Sequence, residues 1–358
     1  MGRITGSFES SQKMKDVFLG NLPGTAYARY FYQEEKEWEV RLATYTGADG
    51  AALFNSGMAA ITTIARTLDF RSWDKLIISN CLYSQTSEFF RLLRDEEGID
   101  VEFYGPTDEA FYQAASGSDV KLIFTEVIGN GFNMPVVDLQ RLMCAIERNK
   151  AILVVDNTFL TPALYHVMPL AFAMDVKERV IGVESGTKYY QLGADEITLG
   201  LAYGPKDLIQ KIRERRAILG TYLQPLCLSA IPDDIKMRQY KVMRQHSDKA
   251  QLLSKFLRDT YIESVVEEVI YPEAKNFLVE GCGGVFYFSL KGGPAVVEKF
   301  CDALQKCKIG GSFGHPDTWV IPIGLLQDNG VVRVAVGWQQ PIEEVIEDFK
   351  QALEKLAP

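Results

Sequence analysis

The feature that most constrains this chain is a regular alternation of short apolar runs with longer amphipathic stretches, which begins near residue 48. The runs are about five residues long and rich in β-branched side chains, so they are too short for buried helices and typical of strands. Strands that alternate with helices predict a mostly parallel sheet covered by helices on both faces. The predicted strands include residues 75–79, 120–124, 151–155 and 179–183, and the predicted helices include residues 57–68, 86–95 and 137–149.

The pattern changes near residue 235. Residues 228–258 form a long polar stretch with helical spacing, followed by strand-like runs at 284–290 and 331–336 and an amphipathic helix at 342–356. These elements predict a smaller α+β domain joined by a long helix, and 358 residues suit roughly two domains. We therefore predict an α/β protein with an N-terminal arm at 1–47, a large domain at 48–235 and a C-terminal small domain at 236–358.

Charge and cysteine content argue against several classes of protein. The 38 basic and 47 acidic side chains give a net charge of −9, which disfavours nucleic acid as a partner because its phosphates bind basic surfaces. Six scattered cysteines without a C-x-x-C pair and three histidines fit neither a zinc site nor a disulfide framework. The sequence has no secretory signal pattern and no apolar run near the ~18 residues of a membrane span. We expect a soluble, cytoplasmic protein without a metal site.

A lysine follows directly after the predicted strand at residues 179–183. The sequence from residue 180 reads V-I-G-V-E-S-G-T-K-Y-Y, which places Ser185, Thr187 and Lys188 in the turn after the strand. An amine that is partly desolvated at a strand end has a lowered pKa, which favours nucleophilic chemistry. An ordinary surface lysine explains the same motif when it is taken alone. The order of residues does not match a nucleotide-binding P-loop, because the spaced upstream glycine is missing.

Two further motifs carry a carboxylate and a candidate anion site. Asp156 and Asn157 follow the run at 151–155, at a carboxyl strand end, where open α/β sheets bind ligands. A carboxylate there can pair with the protonated ring nitrogen of a cofactor, while an Asx turn or a helix cap is an equal alternative. Ser56 and Gly57 precede a helix whose N-terminal amides favour a phosphate. Together these groups are the ones that pyridoxal 5'-phosphate (PLP) requires.

The chain resembles the Cys/Met metabolism family of PLP-dependent enzymes from about Tyr27 to its C-terminus. The S-G-T-K motif at 185–188 resembles the family's S-A-T-K. This similarity implies that Lys188 carries the cofactor and that Ser185 and Thr187 bind its phosphate. The V-V-D-N-T motif at 154–158 resembles the same motif in the family. It implies that Asp156 contacts the pyridine nitrogen and that Thr158 also belongs to the cofactor site.

Three more motifs resemble the family in order and spacing. The sequence N-S-G-M-A-A at 55–60 resembles S-S-G-M-A-A, which implies that Ser56 and the amides of Gly57 and Met58 hold the phosphate. Tyr83, in C-L-Y-S, resembles the tyrosine that stacks on the cofactor ring and assists proton transfer. Asn130, in E-V-I-G-N, resembles the asparagine near the cofactor's hydroxyl group.

The resemblance extends to both ends of the sequence. The Y-A-R motif at 27–29 resembles Y-S-R, which implies that Tyr27 and Arg29 reach the phosphate in a neighbouring subunit and that active sites are shared. The G-S-F-G motif at 311–314 resembles S-L-G and implies that Ser312 lies near the catalytic lysine. The V-R-V-A-V-G motif at 332–337 resembles V-R-L-S-V-G and implies that Arg333 binds the substrate carboxylate, which a planar guanidinium can do with two parallel hydrogen bonds.

The resemblance implies the fold type I architecture of PLP-dependent transferases and a homotetramer arranged as a dimer of dimers. It implies a carbon–sulfur lyase or related transferase of methionine and cysteine metabolism. The reaction would be β- or γ-elimination or γ-replacement on an amino acid of the cystathionine, methionine, cysteine or O-acylhomoserine type. Two alternatives remain, namely a PLP-dependent aminotransferase or decarboxylase of the same fold, and a PLP-binding protein with a regulatory or scaffold role.

Three departures from the family pattern leave the substrate open. Phe31, Tyr32 and Gln33 replace the N-P-T that follows Y-S-R. After the S-L-G position, the segment that contains His315 replaces G-V-E-S-L, and Glu184 stands where a histidine commonly precedes S-A-T-K. We expect these changes at the substrate mouth and the subunit contact, and not at the cofactor.

Overall fold

The computed structural model describes residues 5–19, 21–30, 32–262, 264–272 and 280–356. Its first part contains seven strands, β1 to β7, at Gly50–Phe54, Lys75–Ser79, Asp100–Tyr104, Val120–Glu126, Ile152–Asp156, Val180–Ser185 and Gly200–Gly204. Ten helices, α1 to α10, lie at Ser11–Phe18, Gln33–Thr46, Gly57–Leu68, Ser84–Asp95, Glu109–Ala115, Leu139–Arg148, Thr161–Leu164, Val167–Ala173, Gly186–Tyr189 and Lys206–Leu219.

The second part begins with the long helix α11 (Ile235–Tyr261) and adds a second sheet. Its strands β8 to β12 lie at Val266–Ile270, Val285–Leu290, Lys308–Ile309, Trp319–Ile321 and Val331–Ala335. Helices α12 to α14 lie at Pro294–Ala303, Ile323–Gln327 and Ile342–Glu354.

The first sheet is mostly parallel, as predicted. Its strand order is β1-β7-β6-β5-β4-β2-β3, and β7 alone runs against its two neighbours, β1 and β6. The carboxyl ends of β1, β4, β5 and β6 therefore lie at the same edge, where ligands bind in sheets of this kind. The turns that follow these four strands carry most of the motifs predicted to form the site.

Helices cover both faces of this sheet. Along β5, Leu153 and Val155 pack into one core cluster while Val154 packs into the other. Helix α6 contacts β5 and helix α3 contacts β6 and β7. Because both faces are buried, these strands read as continuous apolar runs rather than alternating ones, which is why the sequence predicts them well.

The second sheet is smaller and packs against α11, α12 and α14. Its strand order is β10-β11-β12-β9-β8, and Phe286, Phe288, Phe300 and Phe349 form the centre of its core. Strand β12 pairs antiparallel with β9, with Arg333 opposite Tyr287. This pairing fixes the strand that carries the predicted carboxylate-binding arginine.

Sequence and structure agree at most of the predicted elements. Helix α3 and strand β2 have the predicted bounds, and α4 begins two residues earlier than predicted, at Ser84. Strands β1 and β7 were not among the predicted runs, because glycine and alanine make up much of G-A-A-L-F and G-L-A-Y-G and have weak strand propensity. In the part of the chain described, no helix has the length and apolar character needed to span a bilayer.

Candidate active site

A cavity of about 310 Å³ lies at the carboxyl edge of the first sheet and reaches Arg333 on the second sheet. Twelve of the fourteen residues predicted from motifs line it, which brings the turns after β1, β2, β4, β5 and β6 together with the segment before β11 and with β12. These twelve are Ser56, Gly57, Met58, Tyr83, Asn130, Asp156, Thr158, Ser185, Thr187, Lys188, Ser312 and Arg333.

Lys188 lies in the short helix α9, directly after β6, and its amine points into the cavity. Its Nζ donates a hydrogen bond to Ser312 Oγ at 3.0 Å. Burial and then the neighbouring Arg333 charge lower the pKa of Lys188, because both disfavour the ammonium form. Gly314 holds the segment after Ser312 against α9: its φ is +94°, and a Cβ there would lie 2.5 Å from the Lys188 carbonyl oxygen.

Asp156 ends β5 beside this lysine and is held in one orientation by the next turn. The Thr158 backbone N–H and hydroxyl both donate to Asp156 Oδ1, at 2.8 and 2.5 Å. The Thr158 oxygen in turn accepts a hydrogen bond from the Ser185 backbone N–H at 2.8 Å. Burial raises the pKa of Asp156 to about 6, and the bonds from Thr158 oppose that rise. A cation placed against this carboxylate would favour its ionised form further.

The N-terminus of α3 forms one end of the cavity. Ser56 is its N-cap, and Ser56 Oγ accepts a hydrogen bond from the Ala59 N–H at 3.0 Å. The first amides of the helix, including those of Gly57 and Met58, have no partners within the helix. A Cβ on Gly57 would lie 3.2 Å from Ser185 Cα and Cβ, so glycine allows α3 to approach the turn after β6 closely.

Arg333 faces the cavity beside two stacked aromatic rings. Its Cζ lies 5.1 Å from the ring centre of Phe313 and 5.9 Å from that of Phe159, and the two rings stack with centres 5.1 Å apart. Phe313 also lies 5.3 Å from Lys188 Nζ. The Nε and Nη2 atoms of Arg333 are buried and have no hydrogen-bond partner among the described residues. They present two donors to an acceptor in the cavity.

Tyr83 and Asn130 lie on the two loops that follow β2 and β4. The Asn130 backbone N–H donates to the Cys81 carbonyl at 3.1 Å, and the Asn130 side-chain oxygen accepts a hydrogen bond from the Tyr287 hydroxyl at 3.4 Å. The Tyr83 backbone N–H donates to Glu126 Oε1 at 2.6 Å. The side chain of Tyr83 is 47% exposed, so its ring stands at the open side of the cavity.

Tyr27 and Arg29 do not join the other predicted residues. Neither lines the cavity of its own chain. Arg29 Nη2 donates to the Tyr30 hydroxyl at 3.0 Å, and the guanidinium lies over the Tyr27 and Tyr30 rings. Their predicted role at a neighbouring subunit's phosphate stays a prediction.

The departures from the family pattern fall in different surroundings. Glu184 is not at a substrate mouth: it is fully buried in β6, where the Tyr190 and Tyr203 hydroxyls donate to its two oxygens at 2.8 and 2.7 Å. Burial raises the pKa of Glu184 to about 8. His315 is buried and stacks on Trp319 at 4.3 Å, outside the cavity lining. Phe31 lies outside the described residues.

Several lining residues were not predicted from the sequence. Glu126 and Phe313 lie inside two of the quoted motifs, E-V-I-G-N and G-S-F-G, and Phe159 follows V-V-D-N-T directly. Their closeness to residues with assigned roles was a signal that could have found them. Gly311 also lies inside G-S-F-G and Ile61 directly follows N-S-G-M-A-A, whereas Thr86 and Thr198 carried no such signal.

The described residues fit PLP at each part of the cofactor. The free amides of α3, with the hydroxyls of Ser185 and Thr187, suit a phosphate. The Leu199 N–H donates to Thr187 Oγ1 at 3.0 Å and so orients that hydroxyl. Asp156 suits a protonated ring nitrogen, and the amine of Lys188 suits an aldehyde. The two unpaired guanidinium nitrogens opposite them suit a substrate carboxylate.

Known proteins resemble the chain over nearly its whole length. An L-methionine gamma-lyase from Pseudomonas deceptionensis is 29% identical over 99% of this chain and 91% of that protein. Human cystathionine gamma-lyase is 27% identical over 97% of this chain and 88% of its own. The crystal structure of cystathionine gamma synthase from Xanthomonas oryzae has a TM-score of 0.83 at 21% identity and covers 99% and 91% of the two chains. This last likeness shows the same fold.

The sequence also matches the family described as Cys/Met metabolism PLP-dependent enzyme, over residues 4–354. This match confirms the family resemblance, the fold type I architecture and the cofactor that the motifs predict. Elimination or replacement at the β- or γ-carbon of a sulfur- or oxygen-substituted amino acid, by a carbon–sulfur lyase or related transferase, is the predicted reaction class, and the family supports it. The chain belongs to the Cys/Met metabolism family of PLP-dependent enzymes, and its cofactor is pyridoxal 5'-phosphate.

Proposed function

We propose that this enzyme is a γ-elimination lyase for amino acids that carry an uncharged thioether at Cγ, such as methionine. The observation that carries this proposal is the lining of the cavity near Arg333, where Phe159 and Phe313 stack on each other. Among the described lining residues the only acidic side chains are Glu126 and Asp156. Asp156 is assigned to the cofactor's ring nitrogen and Glu126 accepts the Tyr83 N–H, so neither can pair with an ammonium group at the far end of a substrate. A charge that is buried without a partner weakens binding.

Relatives named for methionine and relatives named for cystathionine both resemble the chain. Methionine gamma-lyases from Pseudomonas deceptionensis and Pseudomonas putida are 29% and 28% identical over 99% of this chain. The human cystathionine gamma-lyase has nearly the same identity, 27%, so identity alone does not separate the two substrates. The paired rings near Arg333 favour an uncharged thioether, because a second amino-acid group at the far end of cystathionine finds no acid to pair with among the described lining residues.

The roles of the side chains in this reaction follow from their positions. When bound, PLP supplies an electron sink for the negative charge that forms on the substrate carbon. Arg333 binds the substrate carboxylate through Nε and Nη2. The lowered pKa of Lys188 increases the share of its neutral amine, and this form takes the proton from Cα. With help from the Tyr83 hydroxyl, the same amine moves a proton from Cβ, and the thiolate departs from Cγ with a proton.

The overall reaction balances as methionine plus water giving 2-oxobutanoate, ammonia and methanethiol. The test is a panel of methionine, cystathionine, cysteine and O-acylated homoserines, with oxoacid, ammonia and thiol measured for each. We expect kcat/KM for methionine to exceed that for cystathionine by about 10-fold or more, because the distal charges of cystathionine lose water without gaining partners. A preference for cystathionine, or replacement by an added thiol without oxoacid release, overturns the proposal.

We further propose that the enzyme is a homo-oligomer, a dimer of dimers with shared active sites. The packing of Arg29 on Tyr27 and Tyr30, away from its own chain's cavity, supports a role for Tyr27 and Arg29 at a neighbouring site. The division at residues 47 and 235 is likewise a proposal. It is supported by the two separate sheets, although α2, inside the predicted arm, packs on β1. A cytoplasmic location stays a prediction.

A further inference from the structure

A second carboxyl group stands beside Asp156, and none of the predicted roles uses it. Glu126 ends β4 as Asp156 ends β5, and the two are register partners in the parallel pair. Register partners on neighbouring strands present their side chains to the same face of a sheet, and both side chains line the cavity. Glu126 is 5% exposed. The cofactor end of the sheet therefore carries two adjacent carboxyl groups instead of one.

Glu126 also holds the backbone of the residue expected to stack on the cofactor. Its Oε1 accepts the hydrogen bond from the Tyr83 N–H at 2.6 Å, and Tyr83 is the N-cap residue of α4. The tyrosine side chain itself is largely exposed. The position of its ring over the cavity thus depends on how its backbone is anchored, and the Glu126 carboxyl is an anchor from the neighbouring strand.

Asp156 and Glu126 have different neighbours, and these neighbours affect their ionisation differently. Asp156 accepts two hydrogen bonds from Thr158, which stabilise a carboxylate. Burial and then the charge of Asp156 raise the pKa of Glu126 well above its usual value, against the opposing effects of the Tyr83 N–H, the Arg333 charge and the Asn130 N–H. Two like charges at this spacing in a buried site are unfavourable. Asp156 is thus the member better able to carry the charge.

Several other titratable groups interact with the pair from neighbouring elements. The Cys81 thiol and the Tyr287 hydroxyl are both influenced by the Glu126 carboxyl. Burial raises the pKa values of both groups above their usual range, so neither supplies a competing charge near neutral pH. Burial, with a smaller effect of the Asp156 charge, raises the pKa values of Glu184 in β6 and Tyr203 in β7, so both groups are mostly neutral near pH 7. Arg333 is the cation that faces Glu126.

We propose that Glu126 is a positioning residue of the cofactor site: its carboxyl stays neutral, anchors the Tyr83 backbone, and leaves Asp156 as the ionised member of the pair, directed at the cofactor's ring nitrogen. A neutral Glu126 can accept from the Tyr83 N–H through its carbonyl oxygen while it keeps its own proton. It acts through Tyr83 and Asp156 and moves no proton of the substrate.

Glu126→Gln tests whether the Glu126 carboxyl is neutral. The glutamine amide oxygen can still accept the Tyr83 N–H, but the side chain can no longer ionise. Infrared difference spectra of the apoprotein at neutral pH, wild type minus Glu126→Gln, should show the carbonyl stretch of a protonated carboxylic acid. A carboxylate band in that difference overturns the proposal. Glu102→Gln, on the outer strand β3, is the matched control, and its difference spectrum should contain the carboxylate band, because its hydrogen bonds lower the pKa of Glu102.

Cofactor affinity tests the anchoring. We expect the Kd of PLP for Glu126→Gln to stay within about 3-fold of wild type, and Glu126→Ala to weaken binding about 10- to 100-fold through the lost hydrogen bond to the Tyr83 backbone. The double variant Glu126→Ala/Tyr83→Ala should bind PLP only slightly more weakly than Tyr83→Ala alone. Equal losses in Glu126→Gln and Glu126→Ala overturn the proposal, as do fully additive losses in the double variant. Should Glu126→Ala fail to fold, the infrared test and the Kd of Glu126→Gln still decide it.

Discussion

At the scale of single residues, Arg333 shows how this site separates binding from chemistry. Its Nε and Nη2 atoms have no partner among the described residues, while the rings of Phe159 and Phe313 lie against the guanidinium. A fork of two donors matches both oxygens of a carboxylate, whereas an ammonium group offers only a point charge. The identity of this residue should therefore affect substrate binding more than the later proton transfers.

Arg333→Lys should raise KM about 10- to 100-fold and change kcat much less, because one of two charge-assisted hydrogen bonds is lost. Steady-state kinetics with methionine, at saturating PLP, measures both parameters. Arg41→Lys, at an exposed ion pair with Asp233, is the control and should leave both unchanged. An unchanged KM in Arg333→Lys would show that this residue does not hold the carboxylate.

Phe313 replaces the leucine of the family's S-L-G motif, and its ring faces two cations. It lies 5.3 Å from Lys188 Nζ and 5.1 Å from Arg333 Cζ. An aromatic face stabilises a nearby ammonium by roughly 0.5–2 kcal/mol. The ring thus opposes the burial and the Arg333 charge that lower the pKa of Lys188.

Phe313→Leu should lower the pKa of Lys188 further, because the ammonium form loses an aromatic partner that stabilises it by roughly 0.5–2 kcal/mol. The pH dependence of acetic anhydride labelling at Lys188 in the apoprotein, read by mass spectrometry, measures this shift. Phe132→Leu is the control, because Phe132 packs on Tyr287 at 6.2 Å and does not line the cavity. A rise in the pKa of Lys188, or an equal shift in both variants, would contradict the prediction.

At the scale of elements, β6 carries a buried acid at the position before its functional turn. The Tyr190 and Tyr203 hydroxyls satisfy both oxygens of Glu184, yet burial still raises its pKa from 4.5 to about 8. The native state therefore keeps a proton that the unfolded chain releases above about pH 4.5. Stability from this group is fully present below that pH and is lost as the pH rises through about 8.

Glu184→Gln should remove this pH dependence, because a glutamine has no charge to bury. Urea unfolding at pH 6 and pH 9 should show that wild type loses stability between the two by up to a few kcal/mol more than the variant does. Glu97→Gln, at the partly exposed ion pair with Arg66, is the control for a carboxylate whose pKa is lowered. Equal pH dependence in wild type and Glu184→Gln would contradict the raised pKa.

The junction of α2 and α10 contains a buried ion cluster that supports β1. Arg216 Nη1 lies 2.8 Å from Glu39 Oε1 and 3.2 Å from Glu35 Oε1, with all three side chains buried. Glu39 also accepts the Leu53 backbone N–H at 3.1 Å. Since β1 leads directly into the N-cap of α3, this cluster supports the strand that places the phosphate end of the cavity.

Arg216→Ala should lower the free energy of unfolding by about 3–5 kcal/mol, because it leaves the buried Glu35 without its cation and Glu39 paired with Arg213 alone. Arg41→Ala, which removes an exposed pair with Asp233, should change it by about 1 kcal/mol or less. Urea unfolding of both variants at pH 7 makes the comparison. A similar, small effect in both would show that the cluster contributes no net stability.

At the scale of the whole molecule, the residues predicted correctly lie in local motifs at strand ends. The roles that could not be predicted depend on contacts between segments that are distant in the sequence. The turns after β1, β5 and β6 carry motifs, and parallel strands bring their ends together, so Lys188, Asp156 and Gly57 could be predicted. Glu126 could not be assigned, because its role depends on the register of β4 against β5 and on a hydrogen bond to a residue 43 positions away. Glu184 was expected at the substrate mouth, because a charged residue in a strand usually indicates an exposed position, but it is fully buried.

The same limit applies to Tyr27 and Arg29, whose roles depend on contacts beyond one chain. If each site combines Lys188 of one subunit with Arg29 of another, two inactive variants can restore each other. Lys188→Ala mixed equally with Tyr27→Ala/Arg29→Ala, unfolded and refolded together, should recover about a quarter of wild-type activity, because half the dimers are mixed and each has one intact site. Lys188→Ala mixed with Arg333→Ala is the control and should recover none, since both residues line one chain's cavity. No recovery in the first mixture would place Tyr27 and Arg29 outside a shared site.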